Sequence, residues 1–198
     1  MDELDYLDHP ARKSFASRFR ANFIDFIQTV VVFGAILALI HLFLVQPHKV
    51  SGSSMVPTFH NADYILTDKI SYRTGEVKRG DIVVFKNPRN ELEEFIKRVV
   101  GLPGETIKVA DGTIYINGRP LPEPYLPQGT IIYPGSFLTE GVPVKISPNH
   151  YFVMGDNRNH SSDSREWGEI SKEEIIGKAF FRYWPPKVFG PIKLLSLD

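Results

Sequence analysis

Apolar positions fall into two regimes along the chain. From Phe26 to Val45 they run almost unbroken, interrupted by Gln28 and Thr29 near one end and His41 near the other. At about 1.5 Å per residue this stretch is roughly 30 Å long as a helix, the thickness of a bilayer core, and it reads as a transmembrane helix. Just upstream, Phe15, Phe19, Phe23 and Ile27 recur every four residues among Arg12, Lys13, Arg18 and Arg20, the pattern of a helix lying at the headgroups or of an ordinary amphipathic helix packed on the soluble domain. A cleavable secretory signal is the competing reading. The run is longer than the apolar part of such a signal, and Gln46-Pro47-His48 follows where small residues would be needed. Residues Met1 to Pro10 are acidic and hold few apolar groups, which predicts a loosely held start.

After residue 50 the texture changes to short runs rich in β-branched and aromatic residues, bounded by Gly, Pro, Asn and Asp. Tyr64–Lys69, Asp81–Phe85, Glu94–Val100, Thr106–Ala110, Thr113–Ile116, His150–Met154 and Gly177–Trp184 are predicted strands. Asp111-Gly112 between two alternating runs signals a two-residue hairpin, and Asn117-Gly118 a second turn. Arg119 to Pro148 carries seven prolines and predicts an extended arm or insertion rather than core sheet. Only Ser171 to Ile176 hints at a helix. The expected organisation is a cytoplasmic N-terminal segment over 1–25, an anchor over 26–45, and a β-rich domain over 46–198 with its arm at 119–148.

Composition narrows the function. Lys and Arg total 23 and Asp and Glu total 23, so no broad electrostatic field points to nucleic acid. Cysteine is absent, which removes disulfides, thiolate catalysis and Cys-ligated zinc together. The four basic residues before the span place the N-terminus in the cytoplasm and everything after Gln46 on the outer side.

Candidate chemistry sits in three places. Val50 to Thr58 (VSGSSMVPT) suits neither a helix nor a central strand, so it should be an irregular loop. Read alone, it is equally a Ser/Gly-rich linker. Lys97 lies in the run FIKRVV between Phe95 and Val99, its neighbours on one face of a strand. Burial there would favour the neutral amine, which can take a proton from a serine hydroxyl. An ordinary lysine on a sheet edge satisfies the same pattern. Arg98, on the opposite face, is expected to reach solvent past its aliphatic stem. Met154 to Gly168 (MGDNRNHSSDSREWG) is dense in hydrogen-bonding groups. Asp156, Arg158, Asp163 and Arg165 can form carboxylate–guanidinium pairs there, and Ser161, Ser162 and Ser164 can orient an amine. A Ser-His-Asp hydrolase using His160 or His150 with Asp163, and a membrane-anchored β-module that binds extended peptides without cutting them, are the rival readings.

In order along the chain, SMVPT at Ser54–Thr58, RGDIVVF at Arg79–Phe85, FIKRVVGLPGE at Phe95–Glu105 and GDNRNHSSDSR at Gly155–Arg165 resemble the bacterial type I signal peptidases. These are membrane-anchored Ser-Lys endopeptidases that remove signal peptides from exported proteins. The resemblance implies a fold of antiparallel coiled β-sheets, barrel-like, with no metal or cofactor. It implies preprotein substrates bound as an extended strand with small residues at the first and third positions before the cut. It makes Ser54 the nucleophile and Lys97 the general base, hydrogen-bonded by Ser161, with Asp163, Arg165 and Arg158 as a supporting pair network. Val50, Gly52 and Met55 belong to the substrate and oxyanion loop. Gly52 falls where some members have a serine that completes the oxyanion hole, so the expected donor here is the Ser54 backbone N–H plus another not identified from sequence. The bilayer is the other expected partner, at the cytoplasmic (inner) membrane, with an anchor ending at Val45 leaving Ser54 no more than about 30 Å of chain from its surface.

Overall fold

The apolar run near the N-terminus forms one helix, α1 (Phe15–Phe43), in the computed structural model, which describes residues 15–193. The predicted acidic start and the basic residues Arg12 and Lys13 lie outside the described residues. Nothing breaks the helix at residue 25, because no proline or glycine stands there; the expected boundary between a headgroup helix and a span is crossed by continuous helix. Over Asn22–Leu39 the helix is long and apolar enough to cross a membrane and none of it is buried by protein. Asp25 is the only charged residue in that window. Phe23, Val31 and Phe33 are more than half exposed, which is compatible with a helix that crosses a membrane.

The chain divides into two units after Leu42. In the second, the strands are β1 (Val45–Lys49), β2 (Tyr64–Asp68), β3 (Ile82–Asn87), β4 (Asn90–Gly101), β5 (Thr106–Ala110) and β6 (Thr113–Ile116), followed by β7 (Arg119–Pro120), β8 (Val144–Lys145), β9 (His150–Met154), β10 (Ile170–Ser171), β11 (Ile175–Trp184) and β12 (Gly190–Pro191). Short helices α2 (Ser71–Thr74) and α3 (Ser164–Trp167) interrupt them. The seven strands predicted from pattern are all present. Val45, expected to end the span, instead opens β1, which carries Pro47. That proline is tolerated because, among the described residues, β1 pairs only with β2 and its other edge is free.

Two sheets result, and their named strand pairs are antiparallel. The larger has the order β1-β2-β11-β3-β4-β9-β10, with β12 on β11; the smaller runs β7-β6-β5-β8. Asp111 and Gly112 both take positive φ in the β5–β6 hairpin, as do Asn117 and Gly118 in the next turn, which is what these residue pairs were expected to supply. Alternation along β3 explains its unbroken apolar run. Ile82 and Val84 enter one core cluster with Met55, Phe59 and Ile65, while Val83 and Phe85 enter another with Val99, Tyr151 and Val153. A strand covered on both faces has no polar side.

The proline-rich arm is held more closely than its composition suggests. Leu138 is fully buried and Ile132 nearly so, in a cluster with Val109, Ile114 and Phe152. The predicted helix near Ser171 is a single 3-10 turn, Lys172–Glu174, capped reciprocally by Ser171 and Glu174.

Candidate active site

The loop from Val50 to Asp63, joining β1 to β2, carries Ser54. It has no regular structure, yet it is fixed at many points. Val50 N–H donates to Asp63 O (2.8 Å) and Ala62 N–H to Val50 O (2.9 Å), closing the base of the loop. Met55 and Phe59 are buried in the core; a buried side chain of this size contributes about 1.5–3 kcal/mol. Arg182, from β11, donates to Thr58 O (3.1 Å) and to Asp63 Oδ2 (2.7 Å).

A second segment straps this loop from above. Asn157 donates through its backbone N–H to Ser54 O (2.9 Å) and through Nδ2 to Ser53 O (3.1 Å). Gly155 sits so close that a Cβ there would fall 2.5 Å from Ser54 O and 2.2 Å from Ser161 Oγ. Only glycine lets the two backbones approach in this way.

Lys97 comes from β4, opposite Val83 of β3. It is 4% exposed, and its Nζ lies 2.9 Å from Ser54 Oγ and 3.1 Å from Ile96 O. The Phe95 ring, two residues back on the same strand face, has its centroid 5.2 Å from the amine. No carboxylate among the described residues pairs with Lys97. Burial lowers its pKa from 10.5 to about 8, against the opposing pull of the Asp163 and Asp156 charges. The amine is therefore a base that titrates near neutral pH, within reach of one hydroxyl.

Around this pair lie buried ion pairs, one of them between two residues the sequence grouped together and two with a partner from elsewhere in the chain. Arg165 pairs with Asp163 through Nε (2.8 Å) and Nη2 (2.9 Å), and Asp163 also accepts from Gly155 N–H (3.1 Å). Arg158 pairs with neither aspartate of its own segment. It forks onto Glu123 of the proline-rich arm, with Nη1 2.9 Å from Oε2, and donates from Nε to Gly155 O (3.1 Å). Asp156 pairs with Arg98, at 2.9 and 2.7 Å. Arg98 was expected to reach solvent, yet it is 1% exposed: Ile82 and Met154 flank it in the sheet, and the Tyr125 ring lies 4.0 Å from its guanidinium. An alternating pattern cannot reveal a cation buried by a distant arm.

Ser161 is a further correction. Its Oγ is buried and makes no hydrogen bond among the described residues, so the expected bond to Lys97 is not formed; the hydroxyl is packed over Gly155. Met55, expected on the substrate side, is 1% exposed and belongs to the core beneath the loop. Val50 and Gly52 do line the cleft beside Ser54. Gly52 has φ of +90° and its N–H donates to Asn61 Oδ1 (3.0 Å). Among the described residues nothing accepts from the Ser54 N–H. Neither histidine of the rival triad meets Ser54 or Asp163: His160 Nδ1 lies 3.3 Å from Asn157 Oδ1, and His150 Nδ1 2.8 Å from Pro148 O.

The cleft, of about 340 Å³, runs between the β1 end of the loop and the first half of β4. Among the described residues, 94–97 pair with β3 on one side and with no strand on the other, since β9 joins β4 only from Arg98 onward. Two free strand edges thus face the cleft.

The chain is similar in sequence to known proteins. Residues 23–184 match the family described as signal peptidase, peptidase S26. "Probable signal peptidase I-2" of Synechocystis sp. is 42% identical over 166 residues, covering 80% of this chain and 72% of that protein. "Signal peptidase IB" of Staphylococcus aureus is 34% identical over 177 residues, covering 84% and 92%. A crystal structure of a signal peptidase I from Enterococcus faecalis is 32% identical and covers 52% of this chain and 96% of that one, with a TM-score of 0.44. With the matched region spanning most of the sequence, the chain belongs to the signal peptidase family, peptidase S26.

Proposed function

We propose that Ser54 and Lys97 are the nucleophile and general base with which this serine endopeptidase removes signal peptides from preproteins. The observation that carries the reading is the buried amine of Lys97, 2.9 Å from Ser54 Oγ. Neutral Lys97 takes the Ser54 proton as the oxygen attacks the scissile carbonyl. The unengaged Ser54 N–H is the donor available to the developing oxyanion. The lysine, now an ammonium, protonates the departing amine of the mature protein, leaving the signal peptide as an ester on Ser54. Lys97 then deprotonates a water that hydrolyses the ester and restores the pair. The free edges of β1 and β4 suit a substrate held as an added strand in the cleft.

Helix α1 suits membrane anchoring. We assign the protein to the cytoplasmic membrane as a single-pass protein with its N-terminus inside, on the basis of Arg18, Arg20 and the basic residues before them. Protease protection of closed membrane vesicles tests this orientation. The catalytic assignment is tested by incubating the purified protein in detergent with an exported precursor and sequencing the new N-terminus. Ser54→Ala and Lys97→Ala are expected to abolish cleavage; turnover by folded Lys97→Ala near the wild-type rate overturns the pair.

A further inference from the structure

The proline-rich arm has no part in the proposed chemistry, yet it reaches the segment that straps Ser54. Leu121 N–H donates to Ile114 O (2.8 Å) and its side chain packs on the cluster around Ile114, so the arm leaves the smaller sheet firmly held. Pro122 and Pro124 then flank Glu123. Each proline fixes its own φ and restrains the residue before it, which limits the conformations this stretch has to lose on folding. Leu126 N–H donates to Glu123 O (3.1 Å), a turn that brings Glu123 and Tyr125 onto one guanidinium.

That guanidinium belongs to Arg158, whose side chain is completely buried. Glu123 accepts from both of its Nη groups, and Nη2 also donates to Tyr125 Oη (3.0 Å). Burial pushes the Tyr125 phenol above its ordinary range, so the hydroxyl keeps its proton and donates it to Glu123 Oε1. The three groups thus form a closed triangle of hydrogen bonds. Arg158 Nε reaches out of it to Gly155 O (3.1 Å), at the other end of the strap over Ser53 and Ser54. The Tyr125 ring also lies 4.0 Å from the guanidinium of Arg98. Arg98 holds Asp156, in the same strap, and Asp156 accepts from Thr58 of the serine loop. The arm therefore touches both cations that anchor residues 155–158.

We propose that Glu123 and Tyr125 are positioning residues for the cleavage: through Arg158 and Arg98 they fix the 155–158 strap and so the placement of Ser54 against Lys97. The inference rests on the assignment of Ser54 and Lys97 as the cutting pair. It gives the prolines of the arm a role, since a stiff segment holds its two side chains in place where a slack one would not. Neither residue lines the cleft beside Ser54, so loss of either acts on kcat and leaves KM unchanged.

The test uses the full chain in detergent with one cleavable peptide, below the melting temperature of every variant, and reads kcat from single turnovers and KM separately. Tyr125→Phe keeps the ring and removes the hydroxyl; Glu123→Gln keeps the shape and removes the charge. Each is expected to lower kcat about tenfold with KM within about twofold of wild type, a displacement smaller than the 1 Å that costs about a hundredfold. The double variant should be no slower than the slower single, because both act through Arg158. Glu123→Leu combined with Arg158→Met removes both charges together and so is expected to fold. It lacks the bond to Gly155 O, and its kcat should fall about a hundredfold while its stability is kept. Wild-type kcat in the folded variants, or a raised KM at unchanged kcat, overturns the positioning role. Tyr125→Phe alters no charge, so it decides the matter if the charge variants fold poorly. Failure of the wild type to cut the peptide, or cutting by Ser54→Ala at the wild-type rate, would instead defeat the underlying assignment of the cutting pair.

Discussion

Replacing Lys97 with methionine should produce a protein that is inactive yet more stable at neutral pH. Methionine is unbranched and of similar length, so it fills the same space without a charge to desolvate. The fall of the lysine pKa from 10.5 to about 8 is worth about 3 kcal/mol at 1.36 kcal/mol per pKa unit. Between those two values the unfolded chain carries the proton and the folded chain does not, so wild-type stability rises with pH through that window. Below about pH 8 the folded state bears the full cost of a buried ammonium. Methionine removes this cost and forfeits the hydrogen bond to Ser54, worth about 1 kcal/mol. The variant should therefore gain about 2 kcal/mol at pH 7, and the gain should vanish and reverse as pH approaches 10.5. Denaturant unfolding of the full chain in detergent, followed by fluorescence of Trp167 and Trp184 at several pH values, measures both curves. A variant no more stable than wild type at pH 7, or a gap that does not change with pH, would refute the claim that Lys97 is held dry.

The same titration predicts the rate profile: kcat/KM should climb about tenfold between pH 7 and 9 as Lys97 loses its proton, measured with a single peptide at constant ionic strength. Gly155→Ala should lower kcat about a hundredfold or more, because the added carbon displaces Ser54 O and a shift near 1 Å misaligns the attack; single-turnover rates test this. Glu123→Ala leaves the Arg158 guanidinium buried and unpaired and should cost about 3–5 kcal/mol, read from denaturant unfolding, although Glu123 lies in the arm far from Ser54 in sequence.

Much of the architecture was legible from local pattern. Strand positions followed from β-branched runs, and the hairpins at Asp111-Gly112 and Asn117-Gly118 from residues suited to positive φ. The polar loop that holds Ser54 and the lysine in an apolar strand each depart from the pattern around them, but each also fits a bland reading, and it was the resemblance of ordered motifs that joined Ser54 to Lys97 as a candidate pair. Helix boundaries were less legible: the apolar run continues through Leu44 and Val45, yet Lys69 N–H takes Leu44 O and β1 begins, a choice made by a partner strand and not by hydropathy.

Sequence alone determined what depends on neighbours along the chain: a membrane-length apolar helix, a β-rich domain, and the residue types available for acyl transfer. Tertiary structure decided which groups meet. It paired Arg98 with Asp156 and Arg158 with Glu123, gave the Ser161 hydroxyl no partner among the described residues, and drew His48 to Glu94 across a curled sheet. The physical reason is range. Periodicity and turn preference are set within a few residues, whereas the pKa of Lys97 and the partner of a buried charge depend on what the remote chain packs around them.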